Sequence, residues 1–199
     1  MKKGTITLIA ILGVLGLIVI WAIGIRNNIV RKDVTVTASW QQVENQYQRR
    51  SDLIPNLVAV VQQVADFEKG TLTAVIEARS KATSVTIDPS KMDENSMKKF
   101  QAAQGEVSST LSRLLVVSEQ YPQLKANENF RDLQTQLEGT ENRIANERRI
   151  FNETVQGFNT YIRVFPNSIF AWGFASRPYF EADAGAEKAP KVKDLFNNK

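Results

Sequence analysis

The sequence predicts an all-α protein: an N-terminal transmembrane helix followed by an up-and-down antiparallel bundle of three to four long helices. Three observations carry this. Ile6 to Ile25 is a run of twenty residues without a charge. Beyond it, apolar residues recur at spacings of three, four and seven, the pattern of one helix face. No stretch alternates with the period of two that a half-buried strand requires.

The uncharged run comes first. At about 1.5 Å per residue it reaches roughly 30 Å, the hydrocarbon thickness of a bilayer. Lys2 and Lys3 precede it, and Arg26, Arg31 and Lys32 follow. A cleaved signal peptide is the competing reading, but its apolar region spans only about 7–15 residues and ends at a small-residue site. Ile25-Arg26-Asn27-Asn28 offers no such site, so an uncleaved anchor is expected. Leu, Ile and Val cover every face, leaving no polar stripe for a soluble core helix. Trp21 lies near one end, where an indole favours the membrane–water interface. Gly13 and Gly16 do not form a GxxxG pair, so the span carries no such dimerisation signal. The larger basic cluster follows the span, which favours a single-pass anchor with its C-terminal domain on the cytoplasmic side, a signal anchor with the domain outside being the alternative.

The soluble chain then reads as helices in order. Trp40, Val43, Tyr47 and Ile54 share one face. Pro55 interrupts: it has no N–H for the carbonyl four residues back, and it biases Ile54 away from helical backbone. Ser51–Ile54 is therefore either a hairpin or a kink. An unbroken helix from Arg26 to Ala82 would measure about 85 Å, far longer than its partners, which favours the hairpin. A second stripe follows in Leu57, Val60, Val61, Val64, Phe67, Leu72, Val75 and Ile76, fading before the Asp88-Pro89-Ser90 turn. Met97, Phe100, Val107, Leu111, Leu114 and Leu115 mark the next helix, ended by Tyr121-Pro122. Asn127 suits an N-cap. The last stripe, Phe130, Leu133, Leu137, Ile144, Phe151, Val155, Phe158 and Ile162, carries a helix to Arg163.

The expected organisation is a basic N-terminus over residues 1–5, the span over 6–25, the bundle over 26–163, an aromatic C-terminal cap or interface segment over 164–182, and a mobile tail over 183–199. The aromatic segment begins with Phe165-Pro166 and contains Phe170, Trp172 and Phe174, with Tyr179 and Phe180 extending it. It is too short to cross a membrane. One reading closes the open end of the bundle with it; the other exposes it as a membrane-surface or subunit contact.

Composition excludes much chemistry. There is no Cys and no His, so disulfides, thiolate nucleophiles, Cys/His metal sites and imidazole catalysis are all absent. Without Lys2 and Lys3 the balance is 23 basic to 21 acidic residues, interspersed rather than in runs. That is a solvated surface of mixed sign, and no nucleic acid is expected as a partner. No cofactor, metal site or catalytic residue is expected, and the chain reads as a non-enzyme.

Several polar residues lie on or beside the apolar stripes: Glu68, Arg79, Arg148, Asn152 and Asn159. A lone buried charge costs several kcal/mol, so half-buried groups of this kind should pair. The expectation is a structural polar layer in which Glu68 meets Arg79 or Arg148. Glu138 and Glu141 read as surface.

The ordered motifs resemble the LemA family. The signature is Gln46-Tyr47-Gln48-Arg49-Arg50-Ser51-Asp52-Leu53-Ile54-Pro55-Asn56-Leu57-Val58, with Arg49, Arg50, Asp52, Pro55 and Asn56 as its polar and proline core. Phe67-Glu68-Lys69, Glu119 to Asn127, Leu137 to Ile144, Arg148-Arg149-Ile150-Phe151-Asn152 and Pro178-Tyr179-Phe180 agree in order. The resemblance implies a single-pass bacterial membrane protein with a helical bundle and no established enzymatic activity. The family includes a magnetosome-membrane relative, and members are often encoded near membrane proteases or other envelope proteins. It thus implies a scaffold or interaction role, or alternatively an adaptor or regulator of an envelope protease or membrane-remodelling system. The expected partners are the lipid bilayer, further copies of the chain in a homo-oligomer, and an envelope protein.

Overall fold

In a computed structural model, which describes residues 3–64 and 66–181, the protein is all-helical with no strand among the described residues. Helix α1 runs Lys3–Val61, α2 Lys69–Ser84, α3 Glu94–Ser118, the single turn α4 Pro122–Lys125, and α5 Glu128–Arg163. The expected tail over 183–199 lies outside the described residues. The first part of α1 stands clear of the rest, with its Leu, Ile and Val side chains exposed from Ile6 to Ile23. Burial starts at Ile25. From there to Val61 α1 is about 55 Å long, matching the roughly 54 Å of α5.

The hairpin expected at Ser51–Ile54 does not form. α1 passes through Pro55 as continuous helix and ends at Val61. The missing proline N–H should orphan the Ser51 carbonyl. Arg79 of α2 reaches across and donates to that oxygen from Nε at 2.9 Å, so the chain can stay helical. The reversal comes at residues 62–68, where Phe67 is buried against the Tyr121 ring, centroids 5.0 Å apart. The Tyr121 hydroxyl donates to the Asp66 carbonyl at 3.1 Å.

This arrangement yields a test. Arg79→Leu is expected to cost about 1–3 kcal/mol, because it leaves a part-buried carbonyl without a donor. In a Pro55→Ala background the new alanine N–H can bond Ser51, so the same change should cost much less. Chemical denaturation of the full-length protein in micelles, followed by helical circular dichroism, measures both. Equal costs in the two backgrounds would refute the compensation.

Helices α1, α2, α3 and α5 run up, down, up and down. α1 packs along α5 and α2, and α2 along α3. The core has two clusters. One, beside the apolar run, joins Ile29, Trp40, Val43, Tyr47, Phe100 and Phe151 with others of those helices. The second, at the far end, gathers Ile54, Leu57, Val61, Val75, Leu114 and Phe130. Caps fix the helix starts. Asp93 accepts from Ser96 N at 2.7 Å while the Ser96 hydroxyl accepts from Asp93 N, a capping box. Asn127 accepts from Phe130 N, as its sequence position predicts.

At the top of the first cluster, burial pushes the Glu44 carboxyl above the ordinary range, with the Trp40 indole opposing the shift. The Trp40 N–H nevertheless has no hydrogen bond of good geometry. A carboxyl raised in the folded state binds its proton more tightly there than in the unfolded chain. Its ionisation therefore removes stability as pH rises from the unfolded value through the folded one. Glu44→Gln is expected to raise the thermal midpoint at pH 7–8 and to leave it unchanged in acid, below the ordinary carboxylate range. A midpoint lowered at neutral pH would contradict this.

Candidate functional site

The centre of the molecule is polar. Arg50 sits between the two apolar clusters and is 1% exposed. It projects from α1 because it falls three residues after Tyr47 and four before Ile54, on the inward face. Nη1 donates to Ser108 Oγ and to Glu141 Oε1, each at 2.7 Å. Nη2 donates to Gln104 Oε1 at 2.5 Å and to the Gln104 carbonyl at 3.2 Å. One guanidinium thereby ties α1, α3 and α5. A polar layer does cross the bundle, but its members differ from those expected. Glu141, read from sequence as surface, is one of them.

The five residues expected in that layer are dispersed. Glu68 is exposed before α2, accepting from Thr71 and lying 3.6 Å from Arg113. Arg79 serves the Ser51 carbonyl. Arg148, Asn152 and Asn159 all face the C-terminal segment instead. Of the family signature, Arg50 is buried, Asp52 accepts from Gln48 on the surface, Pro55 lies within α1, and Arg49 and Asn56 are exposed.

Around Arg50, α3 and α5 face one another across an open seam. A groove of about 850 Å³ is lined by Arg50, Gln104, Ser108, Glu141 and Arg148 among others. It continues into a second of about 370 Å³ between Leu111, Leu115 and Leu137. The end of the seam nearer the apolar run is already filled. After α5 the chain makes a short turn at Asn167–Phe170 and reverses at Gly173, whose φ of +84° is accessible to glycine without a Cβ clash. Residues 174–181 then run back as an extended strap.

Side-chain carboxamides hold this strap by its backbone. Asn159 accepts from Arg177 N at 2.8 Å and donates to Arg177 O at 2.9 Å. Asn152 does the same for Phe180, at 2.8 and 3.0 Å. Gln101 of α3 repeats the pattern at Glu181. The spacing explains the fit. Seven helical residues from Asn152 to Asn159 rise about 10.5 Å. Three extended residues from Arg177 to Phe180 cover about 10 Å. Arg177 also forks onto Asp33 of α1 at 2.7 and 3.1 Å and donates to the Pro89 carbonyl at 2.9 Å.

The aromatic segment thus divides. Phe180, expected as an interface residue, is core: it stacks on Trp40 at 5.8 Å and meets Phe151 edge-on at 5.5 Å. Phe170 and Phe174 pack part-buried against the first cluster. Phe165 and Trp172 are exposed, at 77% and 72%, and Tyr179 is partly so. Sequence reasoning had no signal for Gln101 or Arg177, whose partners lie far along the chain. Among the described residues no group of three or more acidic side chains converges as a metal site.

Comparison with known proteins fits this architecture. Magnetosome protein MamQ 2 of Paramagnetospirillum magneticum is 29% identical over 96 residues, covering 47% of this chain and 35% of the relative. Magnetosome protein MamQ of Magnetospirillum gryphiswaldense is 32% identical over the same extent and coverage. The chain spans about a third of the length of these curated relatives. With its exposed apolar helix, the molecule is a membrane-associated helical protein. The LemA family model matches residues 39–193, most of the chain and the bundle from Ser39 of α1 onward, and the chain belongs to the LemA family.

Proposed function

We propose that the chain is a single-pass membrane anchor carrying a non-catalytic scaffold, and that the α3/α5 seam holds an extended segment of an envelope protein. The strap supports this reading directly. It is a polypeptide bound between α3 and α5 through carboxamide pairs that satisfy both backbone groups of a residue, much as a neighbouring strand would. Among the described residues the seam continues past Glu181 with similar chemistry, with Gln104, Ser112 and Asn142 at its edges and Leu111 and Leu137 below. A partner backbone finds donors and acceptors there, and alternate side chains find apolar contact.

The non-catalytic part rests on how the charges are used. Arg50 has its donors directed at Ser108, Gln104 and Glu141, which leaves it as a tie rather than a reagent. The test is a photo-crosslinking residue at Ser112 or Asn142 of the full-length protein in native membranes. Adducts should map to one contiguous segment of a second polypeptide, and a synthetic peptide of that segment should compete. Adducts confined to this chain's own residues would refute the seam as a partner site.

A further inference from the structure

We propose that Phe165, Ile169 and Trp172 form an interfacial foot that seats in the headgroup layer of the same bilayer that α1 enters. The inference rests on the reading of α1 as a membrane span, and it concerns a different surface from the seam. Phe165 is 77% exposed, Trp172 72% and Ile169 61%, and Val164 beside them is half exposed. Large apolar side chains grouped this way at one end of a water-soluble bundle need a cover.

Their height on α1 identifies the cover. The Phe170 ring meets Trp21 edge-on at 6.0 Å, so the segment touches the last turn of the exposed apolar run. One turn further, Arg26 donates from Nη1 to the Phe170 carbonyl at 3.1 Å and to the Trp172 carbonyl at 3.0 Å. Its guanidinium also lies over the Trp172 ring at 4.0 Å and the Phe174 ring at 5.2 Å. The foot is therefore locked to the helix at the boundary where lipid-facing residues give way to buried ones. That boundary is where Trp and Arg side chains favour the membrane interface, indoles at the headgroups and guanidinium beside phosphate. Arg163, held to Ser176 at the same end, adds a second cation. Apolar rings flanked by arginines match a lipid surface better than they match a polar protein face. Seated this way, the bundle stands on the membrane in a fixed orientation instead of swinging from α1.

Tryptophan fluorescence tests this with an internal control. Trp40 is fully buried about 28 Å along α1 from Trp21, so it supplies a constant background out of reach of lipid. Trp21→Phe leaves Trp172 as the membrane reporter, and Trp172→Phe leaves Trp21. Each full-length variant is reconstituted into vesicles of phosphatidylcholine and phosphatidylglycerol with brominated acyl chains. The proposal expects bromine to quench both reporters, and aqueous iodide to leave Trp172 unquenched. Quenching of Trp21 with Trp172 open to iodide would overturn the foot while the span stands. Trp172 shielded from both quenchers would assign the cover to protein, such as a second copy, and equally overturn it. If neither reporter responds to bromine, the span itself fails and the foot with it.

Discussion

Replacing Arg50 with alanine is expected to destabilise the bundle by roughly 3–5 kcal/mol, the upper part of the range for truncating a large, fully buried side chain. The reason is geometric. α3 and α5 are separated by the seam, and Arg50 bridges them by bonding Gln104 and Ser108 on one side and Glu141 on the other. The pair with Glu141 contributes only part of this. Glu141's side chain is 40% exposed, so water screens the attraction, and after the mutation the carboxylate can hydrate. Most of the loss comes from the volume and hydrogen bonds of a large buried side chain. Glu141→Gln should therefore cost clearly less than Arg50→Ala, and Arg50→Met should recover part of the loss by refilling the space. Urea denaturation of the full-length protein in micelles measures all three. A change below about 1 kcal/mol for Arg50→Ala would show that the seam is held by something else.

Which features the sequence discloses depends on the range of the interaction that fixes them. The apolar stripes are local, and most of their members are buried, among them Trp40, Val43 and Tyr47 on α1, Met97, Phe100 and Leu111 on α3, Phe151 and Phe158 on α5. The α5 start at Asn127 is local as well, because a cap bonds within three residues. Pro55 misleads because its cost is local while its remedy is not: Arg79 lies on another helix. The true break near residues 62–68 lacks a proline, and it is fixed by contacts with Tyr121, more than fifty residues away. The polar layer shows the same division. The principle that buried polar groups must be paired applies to Asn152, part-buried, and Asn159, buried. Their partners are backbone groups of the strap, which no side-chain pairing argument can find. Arg50 stands in a recognisable motif, yet its burial depends on where α3 and α5 fall.

Trp40→Ala should rival Arg50→Ala as the most damaging single change, at roughly 3–5 kcal/mol for a buried aromatic. Trp40 is fully buried and touches three rings at once: Phe100 at 5.1 Å, Phe151 at 5.6 Å and Phe180 at 5.8 Å. These belong to α3, α5 and the strap, so the indole is where α1 meets every other wall of the first cluster. Its N–H makes no hydrogen bond of good geometry, so most of the contribution is packing. Trp40→Phe then loses ring volume but also removes a poorly satisfied donor, and it should cost less than half as much as alanine. The strap gives a second readout. With the indole gone, Phe180 loses its stacking partner, and the Asn152 pair must hold the backbone against a cavity. Amide hydrogen exchange at Phe180 is therefore expected to accelerate in Trp40→Ala well beyond exchange in α2, which touches the far cluster. If Phe180 exchange rises only in step with the rest of the chain, the strap unfolds with the bundle as one unit, and its attachment does not depend on this ring.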